Sequence, residues 1–335
     1  MLKTAEAVSL GHPDKISDYI SSYILDRMIE VDPSVKYAVE VMVKDNTVIL
    51  GGEITGHVNI SDANTYVKQA LREIGYDERY AQIWGKYAID INQIHVINLV
   101  GIQSPDINCG VINNTGWGDQ GVFVGYACQG AGHINQELYL ARKLNRTIYD
   151  FARTSDKLGL DIKTQITLDE NNKVETAIVA VPMLQNQDIT NLIVDALGQK
   201  PKNIIVNGTG IYKYHSSIAD CGITGRKLAC DFYSTAAPIG GGSPWTKDGS
   251  KSDLTLNLYA RYLALKYLGD NDECFVYLSS CIGRDKLPSS TIKTVRNGIS
   301  HTFDILCDIS PKQLIYMFGL VHPVYTKMCR DGLFV

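Results

Sequence analysis

A pattern that occurs three times along the chain constrains its fold more than any other feature: amphipathic helix, strand, return strand, helix. In the first copy Ile16, Ile20, Tyr23 and Ile24 form a stripe at helical spacing over 14–30, and Tyr37, Val39, Val41 and Val43 then alternate as a strand. Asp45 and Asn46 supply a turn, and Val48 to Ile54 reads as the second strand. A helix carrying Val67, Ala70, Leu71 and Ile74 follows, with Ser61 expected as its cap and Gly75 as its stop. In the second copy Leu138, Ala141, Leu144, Ile148 and Phe151 share a helical face. Alternation through Ile162, Thr164, Ile166 and Leu168, a turn at Asn171-Asn172, a return over Val174 to Val181 and a helix with Ile189, Leu192, Ile193 and Ala196 before Gly198 complete it. The third copy is looser: a helix over about 253–268, a strand from Cys274 to Ser279, a weak strand in the 290s, and a helix capped by Ser310 with Pro311 at its first position and Gly319 as stop. The pattern predicts an α+β chain with domains over 1–102, 116–214 and 215–335. Helix–hairpin–helix units also recur by chance in α+β proteins, so the repeat by itself speaks to fold class.

At 335 residues the chain exceeds the ~100–200 residues of one ordinary core, which excludes a small peptide-binding module. With 45% hydrophobic and 20% charged residues it can bury a sizeable interior and is not disordered. The balance of 32 Lys+Arg against 36 Asp+Glu provides no overall field for nucleic acid or an anionic membrane, so any anion site must be local. No CxxC pair occurs among the eight cysteines, and the first twenty residues are interrupted by Glu6, Asp14, Lys15 and Asp18. Reduced thiols, no zinc cluster, no secretory signal and a cytoplasmic location are the expectations. No apolar run reaches the ~20 residues that cross a bilayer.

Two segments carry concentrated chemistry. Gly11-His12-Pro13-Asp14-Lys15 sets an imidazole, a carboxylate and an ammonium at a helix start, where free N–H groups and the helix dipole favour phosphate and Asp14 could hold Mg²⁺. An ordinary charged capping turn would read the same. The second segment runs from Asp220-Cys221-Gly222-Ile223-Thr224-Gly225-Arg226-Lys227 through Gly240-Gly241-Gly242-Ser243 to Lys247, Lys251 and Asp253. Glycines permit close backbone approach and the charges suit a polyphosphate grip with metal, although a flexible loop and a solvated helix start are the plainer alternatives. The turn-rich stretch 103–115 reads as a passive linker or as a mobile active-site cover.

Together these strings resemble the methionine adenosyltransferase (S-adenosylmethionine synthetase) family: GHPDK (11–15), GGEIT (51–55), QSPDIN (103–108), GDQG (118–121), DCGITGRK (220–227), GGG (240–242), KDGSKSD (247–253) and HPVY (322–325), in family order. The resemblance implies a fold of three similar domains with pseudo-threefold symmetry. It also implies homodimers with active sites shared between subunits, possibly paired further into a dimer of dimers. By position, it implies that His12, Lys163, Arg226, Lys227 and Lys247 serve catalysis by holding the triphosphate. Asp119, Asp161, Tyr212, Asp220 and Ser243 join the ATP site, with Tyr212 stacking on adenine. Glu53, Gln103, Asp220 and Lys251 contact methionine, Gln103 and Asp106 close a gate over 103–115, and Asp14 and Asp253 bind Mg²⁺, two ions per site, while Glu40 lies by K⁺.

The implied reaction forms S-adenosylmethionine from ATP and L-methionine, without nucleic acid or membrane, and then splits triphosphate into pyrophosphate and phosphate. The methionine sulfur is already nucleophilic, so no general base is needed, and cations that stabilise the departing triphosphate do the work. Leu10, Ile211, Ile239, Trp245 and Leu254 depart from the family pattern. The loss of Arg at 211 and 254 is what favours the alternative of a non-catalytic or regulatory nucleotide-binding relative.

Overall fold

The computed structural model describes residues 3–56, 60–102 and 116–333. The first stretch runs β1 (Lys3–Val8), α1 (Pro13–Val31), β2 (Lys36–Lys44), β3 (Thr47–Thr55), α2 (Ala63–Ile74), α3 (Glu78–Trp84) and β4 (His95–Ile102). It is followed by β5 (Gly121–Cys128), α4 (Gln136–Thr154), β6 (Lys163–Leu168), β7 (Val174–Ala180), α5 (Thr190–Leu197) and β8 (Asn203–Val206). The last stretch holds the short α6 (Ser216–Ala219), β9 (Gly222–Ile223) and α7 (Leu228–Asp231), then α8 (Ser252–Leu268), β10 (Glu273–Ser280), β11 (Ser289–Arg296), β12 (Ile299–Asp304), α9 (Pro311–Met317) and α10 (Tyr325–Asp331).

Local chemistry accounts for most boundaries. Pro13 opens α1 and the His12 ring caps it, and Ser310 and Gln313 form a reciprocal capping box behind Pro311 on α9. Asp62, not Ser61, is the cap residue of α2, and its side chain makes no capping bond. Phe151 lies 45% exposed, off the buried face of α4. The weak strand of the third copy is a full hairpin of β11 and β12, turned at Asn297-Gly298, both with positive φ. β12 is exposed along its whole length, which is why its residues show no alternation.

The strands form three four-stranded sheets ordered β1-β6-β7-β8, β4-β3-β2-β9 and β12-β11-β10-β5. Each is built on an antiparallel hairpin (β6–β7, β2–β3 or β10–β11). A third strand joins the second hairpin strand, in parallel for β8 and β4 and antiparallel for β12. The first hairpin strand pairs antiparallel with a strand from a distant part of the chain: β1, β9 or β5. The three units are therefore sewn into one another by their edge strands. Helices α4, α1 and α8 cover the inner faces of the three sheets, and α1 lies at the centre, buried on almost every side. Ser17, Ser21 and Ser22 keep it slim there, with Ser21 Oγ donating to Val39 O at 2.7 Å. No helix of the described residues is long and apolar enough to cross a membrane.

Candidate active site

The N-terminus of α1 sits where the sheets meet. Ser9 fixes it to the approach of β6: its Oγ donates to Leu160 O at 2.6 Å and accepts from Ile162 N at 2.9 Å. Gly11 presses so closely on this segment that a Cβ would stand 2.2 Å from Leu160 O, which excludes any other residue. This lacing sets Asp161 and Lys163 beside His12. His12 Nδ1 accepts from Asp14 N at 3.1 Å, so the ring proton resides on Nε2. Burial, and then the nearby Lys227 and Lys163, push the imidazole down to about 3. His12 is thus a neutral Nε2–H donor at physiological pH, and the positive charge around it comes from Lys163, Arg226 and Lys227.

Asp14 is wholly buried, and its two oxygens accept from Ile223 N at 2.9 Å and from Lys227 Nζ at 2.5 Å. Burial opposes its charge, but Lys227 and the Ile223 amide outweigh burial and hold the carboxyl below its ordinary range. Arg226 Nε stands 3.8 Å from the same carboxylate, with half of its side chain exposed. Asp161 accepts from Ser216 N at 3.0 Å, and burial raises it to about 6. Burial and then the adjacent Asp161 push the Tyr212 phenol upward, and Asp220 also lies within the field of Asp161. One group therefore holds His12, Asp14, Asp161, Lys163, Tyr212, Asp220, Arg226 and Lys227.

A second group forms around the glycine triplet. Asp253, in the first turn of α8, accepts from Gly242 N at 2.9 Å and pairs with Lys247, while Lys251 is the cap residue of the same helix. Lys247 bridges to Ala38 of β2, and Ala38 is paired on its other side with Glu53 of β3. Glu53, Ala38 and Lys247 therefore share one row and one face of the sheet, as does Glu40 two residues along β2. Glu40 accepts from the Thr224 hydroxyl and from Thr246 Oγ1 at 3.1 Å, tying the two groups together. Asp119 lies apart, two residues before β5, with its carbonyl accepting from Ser280 Oγ at 2.9 Å. Among the described residues, no hydrogen bond or ion pair joins His12, Lys163, Arg226 or Lys227 to Glu53, Asp119, Lys247, Lys251 or Asp253. Gln103 and Asp106 lie outside the described residues.

The chain matches the S-adenosylmethionine synthetase N-terminal domain family over residues 1–105 and the C-terminal domain family over 214–335. It is 33% identical to the S-adenosylmethionine synthase of Petrotoga mobilis, with 100% of this chain and 93% of that protein covered. It belongs to the S-adenosylmethionine synthetase family. A Chlorobium phaeobacteroides S-adenosylmethionine synthase is 31% identical, covering 96% of this chain and 89% of that one. The solved structure of an unusual S-adenosylmethionine synthetase from Campylobacter jejuni superposes with a TM-score of 0.87 at 29% identity, over 99% of this chain and 94% of that chain.

Within this S-adenosylmethionine synthetase framework the departures divide by burial. Leu254 is fully buried in α8 and Trp245 is 3% exposed, so both are absorbed into packing, whereas Ile211 and Ile239 are 48% and 38% exposed. Sequence reasoning missed a supporting layer behind Gly11. Tyr76 OH donates to Gly11 O at 2.7 Å, and Tyr80 OH accepts from Leu160 N at 3.1 Å. His215 Nδ1 donates to Lys213 O at 2.7 Å, leaving Nε2 to accept from the Tyr80 hydroxyl. Tyr76 and Tyr80 lie four residues apart but His215 is 135 residues beyond Tyr80, and none belongs to a motif, so only their aromatic character could have drawn notice.

Burial pushes His215 down to about 4. The unfolded chain, with histidine near 6.5, binds the proton first, so this residue costs stability progressively as pH falls from about 6.5 to 4. Other groups titrate in the same window, so the wild type must be compared with His215→Gln. The variant is expected to lose less of its stability between pH 7 and 5, and the His215 ring is expected to stay neutral by ¹⁵N NMR down to pH 5. A ring titrating near 6.5 would contradict the assignment.

Proposed function

We propose that the chain is a methionine adenosyltransferase in which the N-terminus of α1 grips the leaving triphosphate. The methionine sulfur attacks C5′ of ATP, the C5′–O bond breaks, its electron pair leaves on the triphosphate, and the sulfur becomes a sulfonium. Charge grows on the bridging oxygen, so preorganised donors aimed at it lower the barrier. The neutral His12 Nε2–H is such a donor, and Lys163, Arg226 and Lys227 surround it with cations. The observation that carries this reading is the convergence of a buried neutral imidazole with Lys227 and Lys163 at a helix N-terminus. The triphosphate is then hydrolysed to pyrophosphate and phosphate.

The carboxylates fit magnesium as single ligands. Among the described residues no three His, Cys, Asp or Glu side chains could hold a metal, but Asp14 and Asp253 each hold a lysine ammonium on one oxygen. Hard oxygens used singly suit Mg²⁺ that completes its shell with water and substrate phosphates. Asp14 and Asp253 would hold Mg²⁺, which neutralises phosphate charge when bound, and Glu40 with its two threonine hydroxyls would lie by K⁺.

The remaining residues are proposed to complete the site across a homodimer. The exposed face of the β4-β3-β2-β9 sheet combines Ile97, Leu99 and Ile223 with Glu40 and Glu53. Burying such a face against a second copy would bring the glycine-triplet group and Asp119 of one subunit towards the α1 group of the other. ATP, methionine and Mg²⁺ together are expected to yield the sulfonium by mass spectrometry, from a protein that is dimeric by native mass spectrometry. Product formation unchanged by excess EDTA would refute the metal assignment, and no product at all would refute the activity.

A further inference from the structure

Behind the phosphate-facing groups lies a closed ring of contacts that links the GHPDK, DCGITGRK and glycine-triplet strings through Asp18, Asp231 and Trp245. Asp18 Oδ1 accepts from Gly225 N at 2.8 Å, in the loop that delivers Arg226 and Lys227. Asp18 Oδ2 lies 3.2 Å from Lys15 Nζ, which in turn donates to Asp231 Oδ2 at 2.8 Å. The same Asp231 oxygen accepts from Trp245 Nε1 at 2.8 Å, and Lys15 Nζ stands 4.8 Å from the centre of the Trp245 ring. Trp245 N donates to Ser243 Oγ at 3.3 Å, just after the glycine triplet. The ring closes where Ser243 Cβ lies 2.9 Å from the place a Cβ would take on Gly225, whose φ is +76°. Lys15, Asp18, Asp231 and Trp245 are all less than 9% exposed.

Resting on the proposed function, we infer that this ring fixes the Thr224–Lys227 loop and the Gly240–Ser243 loop relative to α1, and that Asp18 and Trp245 are positioning residues for adenosyl transfer. Most of 224–227 and 240–251 is irregular backbone, so no sheet ladder or long helix sets its geometry. Side chains anchored on α1 must do it. Asp18 holds the backbone one residue before Arg226, and Trp245 holds the one beyond Ser243. Trp245 is one of the positions that depart from the family pattern, and its indole closes the ring. A displacement of about 1 Å in either loop would move cations off the leaving group, a loss of up to about 10²-fold in rate.

Three variants separate positioning from mere stability. Asp18→Ala removes the acceptor for Gly225 N–H, Asp18→Asn retains an oxygen there, and Trp245→Phe keeps the ring face over Lys15 but deletes the indole donor. In variants whose near-UV circular dichroism matches wild type, Asp18→Ala and Trp245→Phe are expected to lower kcat by about 10- to 100-fold. KM for methionine should stay within about twofold, because neither residue is placed in its site. Asp18→Asn should recover most of the lost kcat. Calorimetric affinity for tripolyphosphate with Mg²⁺ should fall with kcat in Asp18→Ala and Trp245→Phe and return in Asp18→Asn. Wild-type kcat and tripolyphosphate affinity in folded Trp245→Phe, the mildest change, would overturn the inference even if Tm fell. If the wild type made no sulfonium, the proposed function would fail, while tripolyphosphate affinity would still report on the ring.

Discussion

Replacing His12 by asparagine is expected to lower kcat by at least ~10²-fold while leaving thermal stability nearly unchanged, the size of effect that follows loss of one preorganised donor. The two roles of His12 separate cleanly in this substitution. Its Nδ1 caps α1 by accepting from Asp14 N, and asparagine is among the best capping residues, with Oδ1 available for the same bond. Its Nε2–H is the group proposed to meet the leaving oxygen, and the shorter asparagine cannot reach there. His12→Ala, by contrast, should lose both turnover and about 1 kcal/mol of stability through the missing cap. If His12→Asn kept near-normal kcat and only KM for ATP rose, the imidazole would serve binding alone. Lys163→Met should cost a similar factor in kcat, but its exposed position at the start of β6 predicts no loss of stability.

Lys15→Met should produce the largest stability loss of any single change near the site, about 3–5 kcal/mol, because it leaves buried carboxylates without their cation. Lys15 is 2% exposed, and although burial disfavours its charge, Asp231, Cys329 and Asp18 together outweigh burial and hold it charged. Without the ammonium, Asp18 and Asp231 face each other in the interior. Asp18 already sits near 7, raised by burial and partly pulled back by Lys15, so in the variant it should take up a proton more readily still. A carboxyl whose folded value exceeds its unfolded value favours the fold below that range and loses the benefit as pH rises through it. The deficit in Lys15→Met should therefore be smaller at pH 6 than at pH 8, measured by urea unfolding at both. An equal deficit at the two pH values would mean that lost packing of the lysine stem, rather than the stranded carboxylates, is responsible.

Much of the architecture was legible because it is local. The stripe of Ile16, Ile20 and Ile24 gave α1, the alternation of Tyr37 to Val43 gave β2, and Ser310-Pro311 marked the start of α9. The chemistry of the site was legible in the strings GHPDK, DCGITGRK and KDGSKSD, whose charged residues settle into two groups linked through Glu40, Thr224 and Thr246. β12 escaped because an exposed strand needs no alternation, and Ser61 was a reasonable cap one residue from the real one.

Sequence by itself determined the first two hairpins, the long helices, and the residue types available to bind phosphate and metal, since each depends on neighbours a few positions away. Tertiary structure alone decided which distant strand closes each sheet: β1 on β6, β9 on β2 and β5 on β10. Pairing across 100 or more residues depends on which sheet edge is free in space, and local pattern carries no record of that. It also decided that His12 is neutral, because burial and two lysines from other segments set its proton affinity. It decided, finally, that Trp245 and Asp18 hold two loops in place, because a side chain's role is fixed by what folding puts beside it.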